Sequence, residues 1–272
     1  MKDRPWQLQI FQKSIKKKEK LALIDKHLEI LPSDVILDLG CAQGILSYFL
    51  RQKGGYWVSA DLDYENLKTS QGLLGTNLIQ LGPGILPFRP GSFDRVVSLD
   101  YLEHLEDDDL CLAEINRVLK KDGQLVLATP HTGRVFLLHK LRPLLGLKLE
   151  FYGHKREGYS SKDLEGKLKK HGFKVEKKQT FSRFFSEFLE LIINALYKKF
   201  SGKKHTQSLR DGQIRPTTEE EFKAKRKIFK LYGFIYPLVW VCSKMDKILF
   251  FQRGYSLLVW AIKSRDQDQI RF

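Results

Sequence analysis

The stretch Val35-Ile-Leu-Asp-Leu-Gly-Cys-Ala-Gln-Gly44 constrains this chain more than any other. An apolar run ends in an acid, two spaced glycines follow, and a helical pattern then runs from Ile45 to Arg51. That order describes a buried strand turning tightly into a helix. Glycine supplies the bend and lets a ligand lie against the backbone. The helix N-terminus beyond it presents free N–H groups and a positive dipole end, which suit a carboxylate. Asp38, at the strand end, would accept from an ammonium. A ligand that carries both groups is an amino acid. The dinucleotide fingerprint G-x-G-x-x-G does not fit, because here the acid precedes the first glycine and the spacing is Asp-x-Gly-x-Ala-x-Gly. Taken alone, the loop would also fit any strand–turn–helix of an α/β protein.

Later segments narrow the choice. A second strand pattern, Tyr56 to Ala60, ends in Asp61, about twenty residues after the loop. An acid there can hold two ribose hydroxyls. Asp61 or Asp63 would also serve as the N-cap of the helix through Leu67. Next come Leu86-Pro-Phe, the apolar run ending Val-Val-Ser-Leu-Asp100, and Tyr-Leu-Glu-His104. Another strand pattern, Gln124 to Pro130, follows the run from Glu114. Strands near 35–39, 56–60, 77–81, 94–99 and 124–129 alternate with helices near 44–53, 63–73 and 107–120. That alternation means a parallel sheet with helices on both faces. An amphipathic helix over Ser14 to Leu31 precedes it. A helix over Ser161 to His171, a strand over Phe173 to Thr180 and a last strand over Tyr255 to Ile262 complete the pattern.

In order and spacing these segments resemble the class I S-adenosylmethionine-dependent methyltransferases, especially the small-molecule branch that includes quinone-biosynthesis O- and C-methyltransferases. The resemblance is dense from Pro32 to Pro130 and thinner through Gly158-Tyr-Ser and Gly172-Phe. It implies a Rossmann-like α/β fold: a seven-stranded, mostly parallel sheet with helices on both faces. It also implies methyl transfer from S-adenosylmethionine to an oxygen or carbon of a small acceptor. By that resemblance Asp38, Gly40, Cys41, Ala42 and Gly44 line the methionine end, and Asp61 with Leu62 meets the ribose. The segment before Leu86 meets adenine, and Ser98 and Leu99 flank the sulfonium. The chain departs from the family at two places. Ala42 stands where a third glycine is common. Gly82 and Pro83 stand where the family places an Asp and a residue whose N–H faces adenine. Proline has no N–H, so the Gly84 N–H is the nearest substitute. A scaffold that keeps the fold without binding cofactor is the reading from another class that Gly82-Pro83 favours.

The sulfonium is already an activated donor, so the protein must align the acceptor and exclude water. An oxygen acceptor also has to lose a proton, which calls for a base near neutral pKa. His104 and His131 follow the fourth and fifth strand patterns, at the end of the sheet where such folds bind ligands. His154 and Tyr159 are secondary candidates for acceptor contact. Asp100, Glu103 and His104 would share one side of a short helix, a donor set that suits a divalent ion. Their order is similar to the Glu-x-x-Glu-His pattern of some quinone O-methyltransferases. Helix capping by Asp100 is the plainer alternative and is preferred, so no metal is assigned.

Charge is unevenly distributed. The whole chain carries +15, but residues 1–33 carry +4, residues 34–130 carry −6 and residues 131–272 carry +17. A basic C-terminal half points to an anionic or lipid-linked acceptor or an anionic membrane surface. An RNA methyltransferase is the other alternative, but nucleic acid fits less well, because no binding module accompanies the charge. Residues 183–253 stand between the last two strands, where the family has a short connection. They read as a helical insertion: an aromatic-rich helix over Phe184 to Tyr197, a polar loop over Lys203 to Arg215, and a capping box at Thr218 and Glu221. An apolar stretch over Phe234 to Phe251, broken at Pro237, ends it. Such helices would form a lid, a membrane contact or an ordinary subdomain. The division is thus 1–33, an N-terminal helix; 34–182, the cofactor-binding core; 183–253, the insertion; and 254–272, the last strand and tail. The three cysteines are dispersed and lack metal spacing, and the start of the chain lacks an apolar leader. A cytoplasmic protein, peripheral on the inner face of the membrane at most, is expected. Oligomeric state is not legible.

Overall fold

The computed structural model describes residues 5–82, 84–133, 136–201 and 219–264. Seven strands form one sheet: β1 Val35–Leu39, β2 Tyr56–Asp61, β3 Leu78–Gln80, β4 Phe93–Leu99, β5 Leu119–Pro130, β6 Phe173–Phe181 and β7 Ser256–Lys263. Their spatial order is β3-β2-β1-β4-β5-β7-β6. β7 runs antiparallel to both its neighbours, and the other pairs are parallel. The expected sheet is therefore present, with most strand ends displaced by a residue or so; β5 starts at Leu119, five residues before the expected start at 124.

Alternation along each strand feeds two cores. Leu37 and Leu39 of β1, Leu125 and Leu127 of β5, and Leu257 and Val259 of β7 face one side. Ile36, Val126, Ala128, Leu258 and Trp260 face the other. The first side is covered by α5 (Asp108–Val118) through Leu112 and Ile115, and by α8 (Ser161–Lys170) through Leu164 and Leu168. The second is covered by α2 (Ile15–His27) and α3 (Ile45–Arg51). Full burial of Ile24, Leu28 and Leu50 there is worth about 1.5–3 kcal/mol per side chain.

Side-chain caps start the helices where the chain has Ser or Asp. Ser14 accepts from the Lys17 amide at α2, Asp63 from Asn66 at α4 (Tyr64–Leu74), Asp107 from Leu110 at α5 and Ser160 from Asp163 at α8. Of the two acids considered for α4, Asp63 is the cap.

The sequence reading needs four corrections. The N-terminal helix stops at His27, not Leu31, and is preceded by α1 (Trp6–Gln12). Two helices, α6 (Leu137–Leu144) and α7 (Leu149–Tyr152), fill the segment after β5, to which the sequence reading assigned no element. The aromatic-rich helix, α9, spans Phe184–Ser201, longer than expected. Finally, α10 (Glu219–Ala224) is followed by α11 (Arg226–Lys244), which runs straight through Pro237. Proline lacks one helical bond and crowds the carbonyl four residues back. Here that carbonyl belongs to Gly233, and the inward side chains Tyr232, Tyr236, Val239 and Ser243 keep their spacing across the proline. The polar loop at 203–215 and the Thr218 cap lie outside the described residues.

Candidate active site

The glycine loop, Asp61 and His104 all sit at the carboxyl ends of the central strands. Ser98 pairs in register with Leu39 on one side and Leu127 on the other, which fixes that end of the sheet. In the loop Gly40, Ala42 and Gly44 have φ of +80°, +47° and +75°. A side chain on Gly40 would run into the Tyr101 ring, and one on Gly44 would meet Ser70 and Leu74. Glycine is therefore required at both positions by space as well as by conformation. Ala42 holds the same left-handed conformation with a Cβ, at a cost of about 1–2 kcal/mol.

The loop is clamped by groups that spacing alone does not link. Asp61 Oδ2 accepts from the Ala42 amide at 2.8 Å, and its Oδ1 accepts from the Asp63 amide at 2.9 Å. Asp38 accepts from the Ser59 hydroxyl at 2.8 Å, and its burial pushes its carboxyl up to about 6. Burial also raises the Cys41 thiol, so Cys41 is a packed side chain and not a thiolate. Leu62 packs partly against the core. Gly84 has φ +96° and lies near Leu110. A Cβ on Gly82 would meet nothing within 4 Å. Pro83 lies outside the described residues. Ser98 is buried and its hydroxyl lacks a partner, while Leu99 packs partly against the second core.

Beyond β4, His104 is in a short turn of helix, Leu102–His104. Its Nδ1 lies 2.9 Å from the Gly153 carbonyl. A carbonyl only accepts, so Nδ1 carries a proton, and in the neutral ring Nε2 is the acceptor. The His154 ring stands edge-on to it at 4.8 Å. Burial and then the neighbouring His104 pull His154 down to about 3, so it is neutral near pH 7. Glu103 is fully buried, and neither of its carboxylate oxygens has a partner. Burial and the charge of Asp100 push it up to about 8, so it holds its proton at neutral pH. Ligand atoms of Glu103, His104 and His154 lie within 4.8 Å of one another.

Asp100 does not belong to that trio. Its carboxylate pairs with Lys20 of α2, a lysine only 2% exposed. Burial alone would raise Asp100, but Lys20, aided by Lys16 and Lys17, holds it below the usual carboxylate range. It is not a helix cap either, for the turn after it has no side-chain cap. His131 is buried and donates from Nδ1 to the Gly254 carbonyl at 2.8 Å, and burial lowers its pKa. Tyr159 forms a parallel backbone bridge with His131, but its side chain makes a different contact. Its hydroxyl donates to Asp108 at 2.6 Å inside the first core.

Several charged groups of the site had no motif to announce them. From α2, Lys16 reaches Glu187 at 3.3 Å, and Arg142 of α6 pairs with the same carboxylate. Arg142 lies over the Tyr152 ring at 5.6 Å, and Tyr152 lies beside His154 at 5.5 Å. A continuous polar wall thus leads from His104 to the first turn of α9. Lys17 has no carboxylate at ion-pair distance among the described residues, and burial and Lys20 pull its pKa down. One signal was available for Lys20: it falls on the helical face shared by Leu21, Ile24 and Leu28.

Residues 37–127 match a family model described as a methyltransferase domain. The chain is 26% identical over 130 residues to a ubiquinone biosynthesis O-methyltransferase of Pelagibacter ubique, covering 46% of this chain and 52% of that one. It is 37% identical over 86 residues to the 18S rRNA (guanine(1575)-N(7))-methyltransferase of Saccharomyces cerevisiae, covering 30% of this chain and 31% of that one. The chain spans about half the length of the first of these relatives. Among solved structures it resembles a phosphoethanolamine N-methyltransferase of Haemonchus contortus in complex with S-adenosyl-L-methionine. The TM-score is 0.56 at 16% identity, over 91% of this chain and 53% of that one. A cyclase, SpnF, has a TM-score of 0.57 at 15% identity, over 90% of this chain and 80% of that one. Likeness at that level establishes the fold and not the reaction.

Proposed function

We propose, from the premise that residues 37–127 form a methyltransferase domain on the class I Rossmann-like fold, that this protein transfers a methyl group from S-adenosylmethionine to a small acceptor. One observation carries the reading. The glycine loop, Asp61 and a histidine whose Nε2 is the acceptor in the neutral ring converge at the carboxyl ends of neighbouring strands. The loop and the N-terminus of α3 suit the methionine end, and Asp61 suits the ribose. When bound, the cofactor supplies an electrophilic methyl. The protein aligns the acceptor with it, and His104 Nε2 takes the proton of an acceptor hydroxyl. His131, deeper and with its Nδ1 engaged, is the second candidate base. Lys17, beside Lys16 and Lys20 on α2, suits an acceptor that carries a negative group.

Titration calorimetry with S-adenosylmethionine tests the premise of cofactor use. Micromolar binding that is lost in Asp61→Asn is expected, and no binding in the wild type would leave a scaffold in place of an enzyme. With an acceptor in hand, His104→Gln is expected to lower kcat by about 10²–10⁴ while cofactor affinity holds. Unchanged kcat would remove His104 as the base.

Glu103, His104 and His154 give a second reading of the same atoms. A carboxylate and two imidazoles fit a divalent ion of the zinc or manganese kind, and the orphaned Glu103 oxygens favour it. Relative to the sequence-derived trio, His154 takes the place of Asp100. Such an ion would polarise the acceptor hydroxyl. Elemental analysis of the purified protein and thermal shifts with zinc, manganese and magnesium test it. A stoichiometric ion, lost in Glu103→Gln, is the expected result on this reading. Metal-free protein with full turnover would rule the ion out and leave His104 as base.

A further inference from the structure

We propose that the outer face of α11, with the aromatic pair Phe250 and Phe251, rests on an anionic lipid bilayer. The helix is apolar on both sides. Its inner side chains pack on the N-terminal segment: Tyr232 donates to the Lys13 carbonyl at 3.0 Å, Lys13 stands over the Phe229 ring, and Lys18 meets the Tyr236 hydroxyl at 3.1 Å. The outer side is equally apolar and faces water. Leu231, Phe234, Leu238, Val241 and Met245 recur at spacings of three and four and are all exposed, Phe234 to 84%. Phe250 and Phe251, just past the helix, are 79% and 71% exposed. An apolar face of this extent marks an interaction surface.

The charges around it identify the occupant. From Leu231 to Ser243 no residue is charged. Arg226, Lys227 and Lys230 stand before this run and Lys244, Lys247 and Arg253 after it, and none of the six takes part in an ion pair with a carboxylate among the described residues. The only acid between Arg226 and Arg253 is Asp246, and it is buried against the first turn of α9. Its carboxylate accepts from the amides of Arg183, Phe185 and Ser186 at 3.0, 2.8 and 3.2 Å. The nearest other acids in sequence, Glu219 to Glu221, belong to α10, and Glu219 pairs with Lys223. In space, Glu19 lies near Lys244 and Glu190 near Tyr232. The exposed charge that residues 226–253 themselves contribute is entirely positive.

An apolar strip between two groups of cations is the pattern of a helix lying in a membrane interface, with side chains among the acyl chains and ammonium groups at anionic headgroups. A second copy of the chain fits less well, because it would set like charges against like. RNA fits less well, because leucine, valine and methionine offer phosphates nothing. No helix among the described residues is long and apolar enough to cross a membrane, so the helix would lie on the bilayer. The inference does not depend on methyl transfer.

Trp240 makes the test direct. It is 46% exposed, whereas Trp6, Trp57 and Trp260 are buried, so changes in tryptophan emission on membrane contact report α11. The protein is mixed with vesicles of phosphatidylcholine alone and with vesicles of phosphatidylcholine and phosphatidylglycerol. The expected result is co-sedimentation with the anionic vesicles only, a blue shift of Trp240, and quenching by brominated acyl chains. Phe234→Ser with Leu238→Gln should cut vesicle affinity at least about tenfold, in keeping with the apolar area removed. Lys227→Glu with Lys247→Glu should abolish the anionic preference. These positions are exposed, so the melting temperature and cofactor titration of both variants should match the wild type. Absence of binding, or binding that survives the apolar substitutions, overturns the proposal. So does a dimer in light scattering that Phe234→Ser disperses, which would make a second copy the occupant.

Discussion

Ala42 and Gly82 show how far single positions can be reasoned from physical chemistry. Ala42 keeps a left-handed turn that its neighbours Gly40 and Gly44 adopt freely, and its amide is held by Asp61. The clamp explains how the loop keeps its shape without a third glycine. Gly82 is different. It lacks the side chain that the resemblance expects at the adenine, yet a Cβ there would meet nothing within 4 Å. Gly82→Asp is therefore expected to fold normally and to tighten S-adenosylmethionine binding several-fold, about 1 kcal/mol for one added hydrogen bond. Calorimetry checks it, and an unchanged dissociation constant would place adenine recognition elsewhere.

At the scale of elements, α9 depends on a residue far from it in sequence. Asp246 supplies a carboxylate to three amides at the start of that helix. It does the work of an N-cap from the far end of α11, so the two insertion helices are tied by hydrogen bonds as well as by packing. Asp246→Ala should cost about 2 kcal/mol in urea unfolding and speed amide exchange across the first turn of α9. Asp246→Asn should recover part of the loss. Wild-type stability in the alanine variant would mean that water satisfies those amides as well. The helix α2 matters in a similar way. Its apolar face covers the sheet, and the same helix delivers Lys16, Lys17 and Lys20 to the site.

The whole molecule carries buried histidines that must stay neutral. Burial holds His139 at about 4 and His154 at about 3. The unfolded chain takes up a proton at each near pH 6.5, so it binds more protons than the folded chain from there down to the folded values. Stability from these two groups is complete above about pH 6.5 and is lost as pH falls. Glu103, at about 8, acts in the opposite sense, since the folded state keeps its proton where the unfolded state has lost it. Its contribution weakens stability as pH rises toward 8. On acidification from pH ~6.5 to ~4.5 the two histidines lower stability, while Glu103 and Asp38, whose carboxyls burial raises, oppose them. Relative to the wild type, His139→Phe with His154→Phe should lose less stability, by up to about 1.4 kcal/mol per pH unit for each histidine. Urea unfolding across that range checks the difference, and parallel pH profiles would show that other groups control acid stability.

Local order alone determined most of the sheet. The strand–turn–helix at Val35 to Arg51, the acids at Asp61 and Asp63, and the strand patterns were legible because burial on both faces imposes short continuous apolar runs and tight turns demand glycine. The ends of α2 and the helices after β5 were less legible, because helix limits depend on which carbonyls find partners in the folded chain. Only the tertiary structure brought His154 to His104, took Asp100 away to Lys20, placed Tyr159 on Asp108, and carried α11 through Pro237. Each of those outcomes joins or balances groups distant in sequence. No spacing rule reaches across such distances; a packed interior does, because every buried charge and donor in it must find a partner or forgo its charge.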